Sequence, residues 1–109
     1  MEGSRMIQAE LYKALKLIGL PITYHHFTDP PLPPYLVYLY SYSGDLIADN
    51  TNYVDIENFQ IELYTDKKDL ASEKMVQDKL KELELPYEKT EYWIESEKLY
   101  QVIYEVQLI

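Results

Sequence analysis

The sequence contains no cysteine, which excludes disulfide scaffolds, thiolate zinc sites, iron–sulfur clusters and cysteine nucleophiles. Glycine is scarce: Gly3, Gly19 and Gly44 are the only three, and none sits in a phosphate-cradling loop or a nucleophile elbow, which disfavours nucleotide-dependent chemistry. No apolar run approaches the roughly 20 residues of a membrane span. The opening MEGSRMIQAE lacks the basic-then-apolar order of a secretory signal. These absences lead to the expectation of a soluble intracellular protein. Cations are missing over a long stretch as well. From Leu17 to Asp66 there is no Lys or Arg, while Asp29, Asp45, Asp49, Asp55, Glu57, Glu62 and Asp66 all fall there. Nucleic-acid affinity comes largely from Lys and Arg neutralising phosphates, so a chain of net charge -9 without a basic patch is not expected to bind DNA or RNA tightly.

What is present is 109 residues, the length of one domain, and an aromatic set of twelve Tyr against two Phe and one Trp. Tyr has an apolar body and a polar tip, which suits half-buried sheet faces and interfaces better than a dry core.

Ile7, Leu11, Ala14, Leu15 and Ile18 recur at the spacing of one helical stripe. Ser4 is placed to cap this helix, and Gly19 with Pro21 to stop it. Residues 20–34 hold Pro21, Pro30, Pro31, Pro33 and Pro34 and are expected to run extended without regular pairing. Tyr35 to Tyr42 is a dense β-former run, apolar on both faces and so expected to be covered on two sides. A second strand is expected from Tyr53 to Thr65. Its inward set changes phase between Val54/Ile56 and Phe59/Ile61/Leu63, which predicts a β-bulge near Glu57 and Asn58. Thr65 or Asp66 can cap a second helix with Ser72, Val76, Leu80 and Leu83 in one row and Met75 beside it. Pro86 ends that helix. Residues 87–94 and 99–109 alternate with period two around the turn ESEK, with Tyr100, Val102, Tyr104, Val106 and Leu108 on one side. The expected fold is α+β, a single domain over 1–109: two long hairpins form a two-layer antiparallel sheet packed by two helices, in the order α-β-β-α-β-β.

The search for chemistry is mostly negative. His25 and His26 are adjacent, and neighbours on an extended segment point in opposite directions, so they are expected to be ordinary loop histidines rather than a chelating pair. Asp45, Asp49 and Asp55 lack the order of a calcium loop. Glu95 and Glu97 sit at a turn, where water would keep their pKa values alike. Tyr38, Tyr40, Tyr42, Tyr92 and Trp93 form a conceivable stacking platform, but the basic groove of a base-stacking protein is missing, and cross-strand packing accounts for the rings. No catalytic residue, cofactor, metal or small-molecule substrate is expected, and the chain is not expected to be an enzyme.

Five stretches, LYKALKLIGLPITYHHF, PPYLVYLY, ADNTNY, NFQIELYTDKKD and YEKTEYWIESEKLYQVIYE, together cover most of the chain from Leu11 onward. Their order and lengths resemble a family of small proteins from the morphogenesis modules of tailed phages and prophages of Gram-positive bacteria. The resemblance implies a head–tail joining protein of the tail-completion or tail-terminator type. Such a protein is a structural part of a ring, often sixfold, between the connector and the tail tube. The implied partners are copies of itself and other neck or tail tube proteins. The implied location is the host cytoplasm during assembly and then the virion neck.

A ring subunit needs two different complementary surfaces. The cation-free region 36–64 and the Lys-bearing stretch 67–81 are the candidates. Tyr42 and Tyr53 are the expected anchors, and Asp45 and Asp49 the expected partners of a neighbour's Lys67 and Lys68. The competing reading is an acidic DNA mimic that inhibits a host nuclease, although Lys residues interleave with the acids from 67 to 98.

Overall fold

The computed structural model describes residues 6–43, 46–48, 51–54 and 56–108. Helix α1 runs over Gln8–Lys16 and α2 over Leu70–Glu82. The strands are β1 (Ile22–Tyr24), β2 (Tyr35–Ser43), β3 (Leu46–Ala48), β4 (Thr51–Val54), β5 (Glu57–Thr65), β6 (Tyr87–Ile94) and β7 (Leu99–Leu108). Five of them form one sheet in the order β1-β2-β5-β7-β6, and β3 and β4 form a separate two-stranded ladder. The α+β class is as expected. The sheet, however, is mixed rather than antiparallel.

That difference comes from the proline-rich segment, where pairing was not expected. Ile22, Thr23 and Tyr24 pair in parallel with Leu36, Val37 and Tyr38, and the Leu36 N–H donates to the Pro21 carbonyl at 2.8 Å. Proline interrupts a ladder only where its own donor is needed. Here Pro21 precedes the strand and contributes only its acceptor, which a sheet edge tolerates.

A helix stripe and one face of the sheet make the core. Leu11 and Leu15 of α1 and Val76 and Leu80 of α2 pack on Leu36 and Tyr38 (β2), Phe59, Ile61 and Leu63 (β5), and Val102, Tyr104, Val106 and Leu108 (β7). The last four belong to the set expected from the alternation, whose fifth member, Tyr100, is only half-buried, and the β6–β7 hairpin closes over residues 95–98 as the sequence indicates. The two-sided covering expected for Tyr35 to Tyr42 holds for its first half. Tyr35 and Val37 are buried on the face away from the helices, where Phe27 meets the Tyr35 ring edge-on at 5.4 Å and Tyr64 stacks on it at 5.1 Å. By Tyr40 the strand is exposed.

The helix ends depart from expectation in detail. Ser4 lies outside the described residues, and the N-cap position of α1 belongs to Ile7, whose N–H donates to the Glu10 carboxylate at 3.0 Å. Gly19 adopts φ +95, the left-handed conformation its position after the helix requires. Asp69, not Thr65 or Asp66, caps α2: its carboxylate accepts from the Ser72 N–H at 3.0 Å and from the Ser72 hydroxyl at 2.8 Å. These bonds hold the Asp69 carboxyl below its usual pKa. The three residues from Asp66 to Lys68 are spent on leaving the sheet before α2 begins. At the other end Glu84 takes φ 59 and the Leu85 N–H reaches the Leu80 carbonyl at 2.9 Å, a Schellman closure with glutamate where glycine is usual.

The expected Tyr53–Thr65 strand is two strands, with β4 pairing to β3 and β5 to β2. The bulge expected near Glu57 and Asn58 is not on β5, which pairs with β7 without interruption from Glu57 to Thr65; the change of phase falls between the end of β4 at Val54 and the start of β5 at Glu57. The bulge is on the partner strand: Tyr40 pairs with Phe59 and Tyr42 with Asn58, so Ser41 of β2 is the extra residue.

Candidate subunit interface

The β2–β5 hairpin continues into the β3–β4 ladder, an arm with its own pairing outside the five-stranded sheet. Tyr42 lies near the end of β2 and Tyr53 in β4, so the two expected anchors flank this arm on its two chains. Asp45 and Asp49 lie outside the described residues. Lys67 and Lys68 are on the other side of β5, between its end and the Asp69 cap. The structure therefore places the two expected surfaces at opposite ends of the nine-residue strand β5.

Lys67 is exposed, whereas Lys68 has partners within its own chain. Its ammonium group contacts the Glu73 carboxylate at 2.7 Å and also bonds Glu91 of β6. Lys89, two residues before Glu91 and on the same sheet face, reaches the other Glu73 oxygen at 2.7 Å. Glu73 is 3 % exposed, on the first turn of α2. Burial by itself would raise its carboxyl pKa, but the hydrogen bonds and charges of Lys68 and Lys89 outweigh burial and hold it below the usual glutamate value. The same contacts raise the Lys68 pKa, led by the bonds to Glu73 and Glu91. Tyr104 completes the cluster by donating to Gln77 Oε1 at 3.1 Å; burial, with Glu73 nearby, pushes its hydroxyl pKa up. Sequence reasoning singled out neither Glu73 nor Lys89. What it missed is that α2 lies across β6, so that one helical carboxylate meets two strand-side lysines.

The face of the sheet away from the helices has a different character. In the observed register it presents Val37 and Leu39 (β2), Gln60, Glu62 and Tyr64 (β5), Gln101, Ile103 and Glu105 (β7), and Glu88, Thr90 and Tyr92 (β6). Among the described strand residues this face bears no Lys, Arg or His. Tyr64 donates to Glu62 at 2.8 Å and accepts from Gln101 at 2.8 Å, while Gln60 donates to Glu105 at 3.3 Å. Glu88 and Glu105 are directly opposite across β6 and β7 and line an open cleft of about 440 Å³ with Asn58 and Gln107. Like charges in such a pair oppose strand pairing. The cation deficit of residues 17–66 thus continues onto a whole sheet face, which linear sequence does not reveal because β6 also carries Lys89, on its helix-side face.

The rings of the conceivable stacking platform are dispersed. Tyr38 faces the helices and packs on Tyr12 and Tyr24, Tyr40 meets Phe59 edge-on, and Trp93 packs on Tyr100 with ring centroids 4.8 Å apart. Tyr92 lies on the opposite face from Trp93. Cross-strand packing accounts for these rings.

The two histidines contradict the geometric expectation. They do not diverge: their Nδ1 atoms lie 3.0 Å apart and their rings are nearly perpendicular. The cause is His25, whose φ of 70 folds the chain back instead of extending it. Among the described residues no three His, Asp or Glu side chains converge as metal ligands, and no helix is long and apolar enough to cross a membrane.

No protein-family model matches the chain, and no curated protein matches it.

Proposed function

We propose that this chain is a structural, non-enzymatic part of a long-tailed phage or prophage: a tail-completion or tail-terminator subunit that forms a ring with its own copies between head and tail. It binds neighbouring neck or tail tube proteins, works in the host cytoplasm during assembly and ends in the virion neck. The observation that carries this reading is the β3–β4 arm, a two-stranded ladder built outside the five-stranded sheet. An arm of this kind adds little to its own core and has surface to give to a neighbour. Two further features support the reading. The outer sheet face is acidic and carries exposed or half-buried Tyr92, Ile103 and Leu39, and the cations lie on the helix side and at the strand ends. A head-to-tail ring joins two such unlike surfaces.

In this arrangement the arm docks on the next subunit, with Tyr42 and Tyr53 as anchors and Asp45 and Asp49 facing that subunit's exposed Lys67. Lys68, held by Glu73 and Glu91, stiffens the receiving surface rather than meeting the arm directly. Changing Asp49→Lys and Tyr53→Ala together is expected to weaken ring formation at least tenfold in protein concentration while the far-ultraviolet circular dichroism spectrum stays that of the wild type. Unchanged assembly in the double variant defeats the proposed contact.

A further inference from the structure

The geometry points to a metal site at His25 and His26, in which both rings bind one divalent transition-metal ion of the Zn²⁺ class through Nδ1. The backbone builds the pair. The His25 N–H donates to the Tyr38 carbonyl at 2.8 Å, continuing the β1–β2 pairing by one residue. The His26 N–H then turns back to the Tyr24 carbonyl at 2.8 Å. A bond from residue i+2 to residue i around a central φ of 70 is a classic γ-turn, rare and strained for any residue with a Cβ. Histidine is among the non-glycine residues that enter positive φ more readily. The turn is held where it starts, because Tyr24 packs edge-on against buried Tyr38 at 5.1 Å and its hydroxyl accepts from the Tyr40 N–H at 3.2 Å.

The result is two imidazole nitrogens held within hydrogen-bond distance of each other. With Nδ1 atoms 3.0 Å apart, one ring can donate to the other in the free pair, the roles depending on the tautomer. When both rings carry their proton on Nε2, two lone pairs meet, and a cation resolves the conflict. Zn²⁺ binds histidine nitrogen at about 2.0–2.1 Å, so two ligands of a tetrahedral ion stand roughly 3.4 Å apart. Opening the pair by about 0.4 Å reaches that distance and needs only small ring rotations. Both side chains are exposed, which leaves the remaining coordination positions to water. A turn that already holds both donors together lowers the ordering cost of chelation. Neutral imidazole selects Zn²⁺, Cu²⁺ or Ni²⁺ over Mg²⁺ and Ca²⁺, which the chain's many carboxylates would bind weakly and diffusely. The site is independent of the ring reading, since it lies in the loop between β1 and β2.

The test is a Zn²⁺ titration of the full-length, chelator-treated protein, followed by calorimetry and by long-range proton–nitrogen spectra of the imidazoles. One Zn²⁺ per chain is expected, with the Nδ1 resonances of both histidines moving together and a millimolar excess of Mg²⁺ failing to displace the metal. His25→Asn keeps a residue that tolerates positive φ but removes the ligand, and His26→Gln removes the other. Each is expected to weaken Zn²⁺ binding tenfold or more without altering the fold, as both side chains are exposed. The proposal is overturned if either variant binds Zn²⁺ as the wild type does, if the metal moves Nε2 rather than Nδ1, or if millimolar Zn²⁺ leaves both rings unperturbed.

Discussion

Phe59→Ala is expected to destabilise the fold by about 3–5 kcal/mol, the usual cost of emptying a buried phenylalanine site. Phe59 is completely buried on β5, the central strand of the five, and its neighbours in the ladder are Tyr40 on β2 and Val106 on β7. It sits beside the Ser41 bulge, where β2 is already irregular, so the strands have little freedom to close the cavity. A domain of this size has a total stability of about 5–15 kcal/mol. The melting temperature of the variant should therefore fall by about 15 °C or more, given roughly 4–8 °C per kcal/mol in small domains. Thermal unfolding followed by circular dichroism measures this directly. A fall of less than 5 °C would mean that Phe59 is not packed as described. Tyr40→Ala provides the contrast: its ring touches Phe59 from a 40 % exposed position, and most of that site refills with water.

Glu73→Ala is expected to cost about 2–4 kcal/mol, through electrostatics rather than packing. Removing one member of a buried ionic cluster leaves the others uncompensated. Here Lys68 and Lys89 lose the carboxylate that separates them, though both keep a route to solvent. The pH dependence identifies the mechanism. The folded Glu73 pKa lies below the ordinary 4.5, so its contribution is complete above that value and disappears as pH falls through the folded pKa. The folded Lys68 pKa lies above the ordinary 10.5, so its share is complete below 10.5 and is lost as pH rises through the raised value. Urea unfolding of wild type and Glu73→Gln should show a clear stability gap at pH 7 that narrows steadily between pH 4.5 and pH 2. A gap of equal size at both ends of that range would assign the effect to shape instead of charge.

These two sites also show what could be read from the residues in order. The alternation in 87–108 determines the β6–β7 hairpin and its inward set, because one face must be buried and the period is two. Phe59, Ile61 and Leu63 reveal themselves in the same way. The ion cluster does not, because Glu73 looks like any surface residue of a helix until α2 is laid across β6, and that crossing is a tertiary event. β1 is three residues long, too short for periodicity, and its parallel partner is fixed by pairing with β2 rather than by its own composition. The phase change in 54–59 is legible as an irregularity, yet its cause is a break between two strands rather than a bulge within one, because β4 pairs with β3 and β5 with β2. His25 is the extreme case: a single positive φ reverses the inference that adjacent side chains diverge, and nothing in the residue types around it announces the turn. Of the expected interface, the sequence points to a hairpin tip between two β-former runs but not to the separate β3–β4 ladder there. It does not foresee that Lys68 is already engaged within its own chain.

The most direct test of the ring reading is the mass of the wild-type protein in solution, measured by light scattering over a concentration series, alone and with the tail tube protein of the same phage or prophage. The expected result is a species several times the 13.0 kDa chain, forming either by itself or when the tube protein is added. A monomer at every concentration, with no affinity for the tube protein, would contradict the ring and turn attention to the acidic sheet face as a decoy for a host nuclease.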